Sequence, residues 1–187
     1  MDILVRKAEI GDFEAFKRIM DQVQELHVQW RPDIYKRNDE LFSAETFREA
    51  VANDFFYVAE TDGKVVGVIG LILRHVENPS HVTRDIVYVD SMAVDEAFRG
   101  MGVGHALLDK AKEIAEEKHC QGVELQVNAR NKQAYEMYTK YGFTEKSINL
   151  ELLYLLSTSF EMLRISHAGG QRGRFNGAES KSIYRRK

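Results

Sequence analysis

Residues 90–108 read DSMAVDEAFRGMGVGHALL, and they combine three local patterns in one stretch. It joins a β-rich run, Asp85 to Val94, to apolar positions that recur at helical spacing from Val103 to about Glu117. Three glycines at alternate positions lie between the two patterns. A glycine turn between a strand and a helix leaves backbone N–H groups pointing at one spot, where the helix dipole also favours negative charge. The stretch therefore predicts an anion-binding turn, and Arg99 adds a charged donor.

The patterns on either side of this stretch alternate between strands and helices. Upstream they predict a strand from Ile3 to Ala8, a helix from Phe13 to Leu26, a helix from Ser43 to Ala52, and strands from Phe55 to Ala59 and Lys64 to Leu73. Asp62-Gly63 between the last two is a strong hairpin signal. Downstream they predict a strand from Val123 to Val127, a helix that begins at Asn131, and a last strand after Gly142-Phe143. This order predicts a mixed α/β (α+β) fold.

Length and composition predict one domain without disulfides or metals. The chain has 187 residues and a formal net charge of -3, and neither value indicates a nucleic-acid or a membrane partner. Cys120 is the only cysteine, so no intramolecular disulfide can form, and no histidine spacing suggests a metal site. With no signal-peptide pattern at the N-terminus, we expect a cytoplasmic protein. The domain is predicted to span residues 1–155, with residues 156–187 as a disordered tail or a non-native extension.

The spacing of the glycines distinguishes between the classes of anionic ligand that the turn could bind. A nucleoside triphosphate loop needs Lys and Ser/Thr directly after its last glycine, and His105-Ala106 stands there instead. A dinucleotide fold needs Gly-x-Gly-x-x-Gly with an acidic residue about 20 positions further on. The step between the glycines is wrong for that fold, although Glu124 lies at a suitable distance. Dinucleotide binding therefore stays as the weaker alternative.

Two separated motifs resemble the GNAT superfamily of N-acetyltransferases. RGMGVG at residues 99–104 is similar to the family's Arg/Gln-x-x-Gly-x-Gly/Ala signature, and DSMAV at residues 90–94 resembles the strand before it. NKQAYEMYTKYGF at residues 131–143 resembles the family's Asn-x-x-Ala-x-x-x-Tyr-x-x-x-Gly-Phe segment. The resemblance covers about four fifths of the chain. It implies a mostly antiparallel, splayed central sheet flanked by helices, with acetyl-CoA as co-substrate in the opening and no metal.

The resemblance also implies roles for particular residues. Main-chain groups of Met92, Ala93 and Val94 would pair with the pantetheine arm, and the amides of Arg99, Gly100, Met101, Gly102, Val103 and Gly104 would hold the pyrophosphate. Asn131 would contact the coenzyme, or serve only as a helix N-cap. Tyr138 would be the general acid that protonates the leaving thiolate, although its spacing also suits a core aromatic.

A general base is needed because an amine is mostly protonated at neutral pH. Some family members place a glutamate five residues before the asparagine, and here that position is Gln126, which cannot accept a proton. Asp90 is our preferred base. Two-residue alternation predicts that it shares a face of its strand with Tyr88 and Met92. Asp90 could equally hydrogen-bond a neighbouring loop.

The resemblance implies direct transfer of an acetyl group to a primary amine of a small molecule or peptide. The segment from Leu26 to Tyr35, with His27 and Trp30, occupies the place where the family's acceptor pocket is usually lined. A homodimer is compatible with the family, but no patch of this sequence identifies one. Two alternatives stay open: a non-catalytic acyl-CoA-binding sensor, favoured by Gln126, and a more distant nicotinamide-dependent enzyme.

Overall fold

The computed structural model describes residues 1–38 and 42–153. Residues 1–144 form one compact unit, and residues 145–153 belong to a second one. The first unit contains strands β1 (Leu4–Lys7), β2 (Phe56–Thr61), β3 (Lys64–Val76), β4 (Arg84–Val94) and β5 (Val123–Leu125). Its helices are α1 (Phe13–Trp30), α2 (Ala44–Ala52), α3 (Val103–Glu117) and α4 (Lys132–Tyr141). Within these described ranges, none of the helices is both long and apolar enough to cross a membrane.

The five strands form one sheet in the order β1-β2-β3-β4-β5. The first four run antiparallel to their neighbours, and β5 pairs parallel with β4 after the α3 crossover. Asp62 (φ 49°) and Gly63 (φ 70°) make the tight turn between β2 and β3. Two central residues with positive φ match the twist of an antiparallel hairpin, so the hairpin prediction is confirmed.

Each face of the sheet carries its own apolar core. On one face, Phe16, Ile19 and Met20 of α1 and Phe47 of α2 pack against Val58 and Val68. On the other, α3 contributes Leu107, Ala111 and Ala115 against Ile69, Leu71, Val87 and Val89. The helix ends are set locally: Ser43 Oγ accepts a hydrogen bond from Thr46 N at the start of α2, at 3.1 Å.

The last predicted strand is absent from the described part of the chain. Residues 143–153 contain neither helix nor strand. Ile148, Leu150 and Leu152 alternate as a strand would, but their side chains are 70%, 92% and 78% exposed. Within residues 1–38 and 42–153, no backbone ladder joins them to another strand, and pairing is what defines a strand. The predicted tail, residues 156–187, lies outside the described residues, so the domain boundary at 155 stays a prediction.

Candidate active site

The sheet opens between β4 and β5. The two strands pair over three residues only, from Val87 opposite Val123 to Val89 opposite Leu125. β4 then continues for five more residues, to Val94, while β5 ends at Leu125. Among the residues that the structure describes, the main chain beyond Val89 therefore has no strand beside it on that edge. This is the splayed sheet that the sequence predicts, although the second strand is two residues shorter than expected.

A β-bulge at Asp90 marks the point where β4 leaves β5. Leu71 of β3 stands opposite Val89, and Gly70 stands opposite Ser91, so Asp90 is the extra residue. The Asp90 side chain is exposed, and within residues 1–38 and 42–153 it forms no hydrogen bond or ion pair.

The bulge reverses the alternation of side chains along β4. Before it, Val89 faces α3, and after it, Met92 faces the same helix. Tyr88 lies opposite Ile72, on the other face of the sheet. The prediction that Tyr88 and Met92 share a face with Asp90 is therefore wrong, because one inserted residue shifts a period of two.

The glycine turn begins α3 with unsatisfied backbone donors. Gly102 adopts φ 90° at the N-cap position, and no side chain caps the helix. The first amide of α3 with a helical partner is Ala106 N, which donates to Gly102 O at 3.1 Å. The three amides before it, at residues 103–105, have no acceptor among the residues that the structure describes. Such amides at the positive end of a helix dipole bind oxyanions.

Arg99 folds back from the turn instead of pointing straight out of it. Its Nε donates to the main-chain oxygen of Val94 at 3.2 Å, which ties the turn to the end of β4. That carbonyl keeps one lone pair for a further donor.

An ion pair anchors the residues before the turn to α1. Arg18 donates to the carboxylate of Asp95, whose other oxygen accepts from Ala97 N at 3.1 Å. Burial alone would raise the pKa of Asp95, but these hydrogen bonds hold that pKa below its usual range. Gln22 of α1 also accepts from Glu96 N at 2.9 Å. The turn is therefore fixed relative to α1 by contacts on both Asp95 and Glu96.

Tyr138 lies on α4 with its ring against Phe143, at a centroid distance of 5.8 Å. Burial raises the pKa of its hydroxyl to about 12, because the phenolate would lose hydration. The hydroxyl thus stays protonated at neutral pH. Asn131 precedes the same helix, and its side chain accepts from Ala134 N at 3.1 Å, so the predicted N-cap role is confirmed.

A cavity of about 770 Å³ brings these elements together. The predicted site residues that line it are Asp90, Met92, Ala93, Val94, Arg99, Gly100, Gly102, Gly104, Asn131 and Tyr138. Met101 and Val103 do not: the Met101 side chain is 54% exposed, and Val103 is buried in the core. For these two residues only main-chain groups remain as candidates.

The cavity has a wall that sequence patterns had assigned only in part. Met20, Val23, Leu26, His27 and Trp30 of α1 line it, opposite β4 and the segment from Leu125 to Asn128. Met20 and Val23 fit the helical period of α1, and such a period indicates core packing without revealing that these residues line a cavity. Gln126, which occupies the position of a glutamate in some family members, also lines the cavity.

The mixed sheet opens between β4 and β5, and the helix beside the opening begins with amides that have no acceptor among the described residues. An α+β protein of this kind can hold an extended, anionic ligand across the opening. Residues 20–143 match the acetyltransferase (GNAT) family, and the chain belongs to that family. These matches confirm the predicted family, the predicted fold class and the prediction that the enzyme is an acetyltransferase.

Individual relatives agree with this assignment. The chain is 38% identical to an uncharacterized N-acetyltransferase of Methanocaldococcus jannaschii over 51% of its length, and it spans 41% of that protein. It is 35% identical to an N-alpha-acetyltransferase of Sulfurisphaera tokodaii, over 77% of this chain and 81% of the relative.

Solved structures share the fold. The BH1408 protein of Bacillus halodurans, solved in a mutant form, superposes with a TM-score of 0.74 at 27% identity, covering 81% of this chain and 99% of that one. An aminoglycoside N-acetyltransferase, AAC(6')-Iy, solved in complex with CoA, has a TM-score of 0.63 at 17% identity, covering 82% of this chain and 95% of its own.

Proposed function

We propose that this protein transfers the acetyl group of acetyl-CoA directly to a primary amine. The observation that carries the proposal is the row of unpaired amides at residues 103–105, which opens onto the cavity beside the unpaired edge of β4. An oxyanion can approach these amides closely because Gly100 and Gly102 carry no Cβ that would stand in its way.

The residues present fit a coenzyme A pyrophosphate followed by an extended arm. The amides of the glycine turn would hold the pyrophosphate, with Asn131 beside it. Main-chain groups of Met92 and Val94 would hydrogen-bond the arm, because no strand of the described ranges lies next to that edge of β4. Acetyl-CoA would supply an acetyl group activated as a thioester.

Tyr138 is the proposed general acid. A phenol with a pKa of about 12 keeps its proton at neutral pH and can donate a hydrogen bond to negative charge in the cavity. An ordinary thiol ionises near pKa ~8.5, so the phenol is the weaker acid of the two. Its contribution is therefore greatest as a hydrogen bond that stabilises charge on the departing sulfur.

Asp90 is the proposed base, acting directly or through water. The bulge exposes its carboxylate to the cavity, and within the described ranges no cation neutralises it. A carboxylate so placed attracts a cationic amine and can accept its proton.

The test is calorimetric titration with acetyl-CoA, followed by a thiol-release assay against a panel of amines. Tyr138→Phe should bind acetyl-CoA normally and lose about 100-fold or more in kcat, in line with general acid catalysis. Tyr141→Phe is the matched control, because its hydroxyl donates to Asp109 at 2.7 Å and it does not line the cavity. Equal kcat values for the two variants would contradict the role of Tyr138.

A second candidate function is a non-catalytic acyl-CoA sensor. Gln126 favours it, because an amide at that position cannot act as a base. A sensor would bind acetyl-CoA without releasing thiol in the presence of any amine, and Tyr138→Phe would change nothing measurable.

A further inference from the structure

The α1 wall of the cavity is apolar and aromatic. Met20, Val23, His27 and Trp30 follow one another at intervals of three, four and three residues, so they occupy one stripe of the helix, and all four line the cavity. Trp30 is the only tryptophan in the sequence.

The one titratable side chain in this wall is His27. Its ring stacks on Tyr35 at a centroid distance of 4.9 Å and lies 5.6 Å from the ring of Trp30. Burial lowers the pKa of His27 below its usual value, which leaves the imidazole neutral at pH 7 and above. Under those conditions the wall presents no charge to the cavity.

Three acidic residues lie close in sequence to the wall, and each is paired with a basic side chain; Asp21, which does not line the cavity, is bound by Lys17 at 2.6 Å. Asp33 forms hydrogen bonds with Arg31 at 2.6 and 2.9 Å. Glu25 forms them with Arg37 at 2.8 and 3.0 Å. Neither carboxylate lines the cavity, so neither is available there to a cationic ligand.

Two carboxylates do line the cavity. Glu136 lies on α4, one helical turn before Lys140, which is also part of the lining. Asp90 lies at the bulge of β4 and has no partner among the described residues. On the side of the cavity formed by α1 and β4, a single negative charge thus faces an uncharged wall.

We infer that the acceptor is a primary amine with one positive charge and an apolar or aromatic substituent. Its ammonium group pairs with Asp90, and its substituent packs on Val23, His27 and Trp30. An acceptor with a second ammonium would place that charge against a wall that offers no carboxylate, so the aromatic faces would offset the loss of hydration only in part. This inference rests on the proposed transferase function and excludes polycationic acceptors.

The test compares hexylamine with 1,6-diaminohexane, which differ by one terminal amino group. At pH 8 we expect kcat/KM for hexylamine to exceed that for the diamine by at least about 10-fold, or about 1.4 kcal/mol. A tetrapeptide amide with an N-terminal methionine and no charged side chain offers the same single positive charge beside an apolar group, because its C-terminus is not ionised. The ratio of its kcat/KM to that of hexylamine distinguishes a peptide acceptor from a small-molecule amine. Equal or faster turnover of the diamine would overturn the inference.

Trp30 fluorescence measures amine binding independently of turnover. In the presence of CoA, hexylamine should change the emission at lower concentrations than the diamine does. If no amine releases thiol, the proposed transfer fails, and this titration still decides the preference. An absence of any change with either amine would count against the wall as an acceptor site.

A charge placed in the wall should weaken or abolish the preference for hexylamine. His27→Glu adds a carboxylate where the substituent packs, so the diamine should gain on hexylamine by about 10-fold or more, the factor that one paired charge supplies at about 1.4 kcal/mol. Gln29→Glu adds the same charge to an exposed position of α1 that does not line the cavity, and it should leave the ratio unchanged. Melting temperatures of both variants establish that they are folded. An unchanged ratio in folded His27→Glu would contradict the inference.

Discussion

Replacing Gly102 by alanine isolates the energetic cost of the glycine turn. Gly102 has φ 90°, and an added Cβ would meet only Ile3 Cδ1, at 3.9 Å. The substitution therefore introduces conformational strain without a steric clash. A left-handed conformation costs an L-residue about 1–2 kcal/mol. We expect Gly102→Ala to lose that much free energy of unfolding.

Gly104→Ala is the matched control, because it adds the same methyl group two residues further along. Gly104 lies within α3, and its Cβ would meet Met137 Cε at 3.6 Å, an ordinary contact. Alanine is favoured over glycine in a helix by about 1 kcal/mol. The two variants should therefore shift stability in opposite directions, with melting temperatures separated by roughly 4–12 °C for a chain of this size.

Urea unfolding and titration with acetyl-CoA measure both effects. Gly102→Ala should also bind acetyl-CoA more weakly, because relaxation of φ would turn the amides at residues 103–105 away from their common target. Gly104→Ala should keep its affinity. If Gly102→Ala were as stable as the unmodified protein, the argument from backbone strain would be wrong.

Three further predictions concern side chains around the cavity. Ser91 Oγ is buried without a hydrogen-bond partner among the described residues. In urea titrations, Ser91→Ala should therefore leave the free energy of unfolding unchanged or raise it. A lower free energy of unfolding would reveal a partner. Asp95→Asn should lower the free energy of unfolding by about 1–2 kcal/mol in the same assay, a modest value because the Arg18 side chain is 51% exposed. Glu96→Gln changes the exposed neighbouring residue and should cause no comparable loss. His27 has a depressed pKa in the folded protein, so it contributes stability above about pH 6.5 that is lost on acidification. The difference in unfolding free energy between the unmodified protein and His27→Gln should be constant above about pH 7 and should fall as the pH drops toward about 5; a constant difference throughout would show that burial does not perturb His27.

Features encoded by neighbouring residues were predicted well from the sequence. The Asp62-Gly63 turn depends on the φ preferences of two residues, and Asn131 caps α4 through an amide three positions away. The glycine turn and the start of α3 at Val103 are local in the same sense.

Features that depend on distant partners were not predicted. The bulge at Asp90 exists only relative to Gly70 and Leu71 of β3, and no pattern within β4 signals an extra residue. The ion pair of Arg18 with Asp95 joins residues 77 positions apart. The strand expected after Phe143 has a suitable alternation but no ladder in the described residues, and its pairing would depend on a partner that its own sequence does not specify.

The bulge at Asp90 keeps both halves of β4 packed against α3. Val89, before the bulge, and Met92, after it, both belong to the α3 core. Deleting Asp90 would leave Val89 and Met92 facing the α3 core and Ser91 opposite Gly70, because it would remove only the residue that has no partner on β3. Neither the pairing of β3 with β4 nor the packing of the core therefore requires the extra residue. Its consequence is local: it places one carboxylate at the edge of the cavity, where a regular strand would place none.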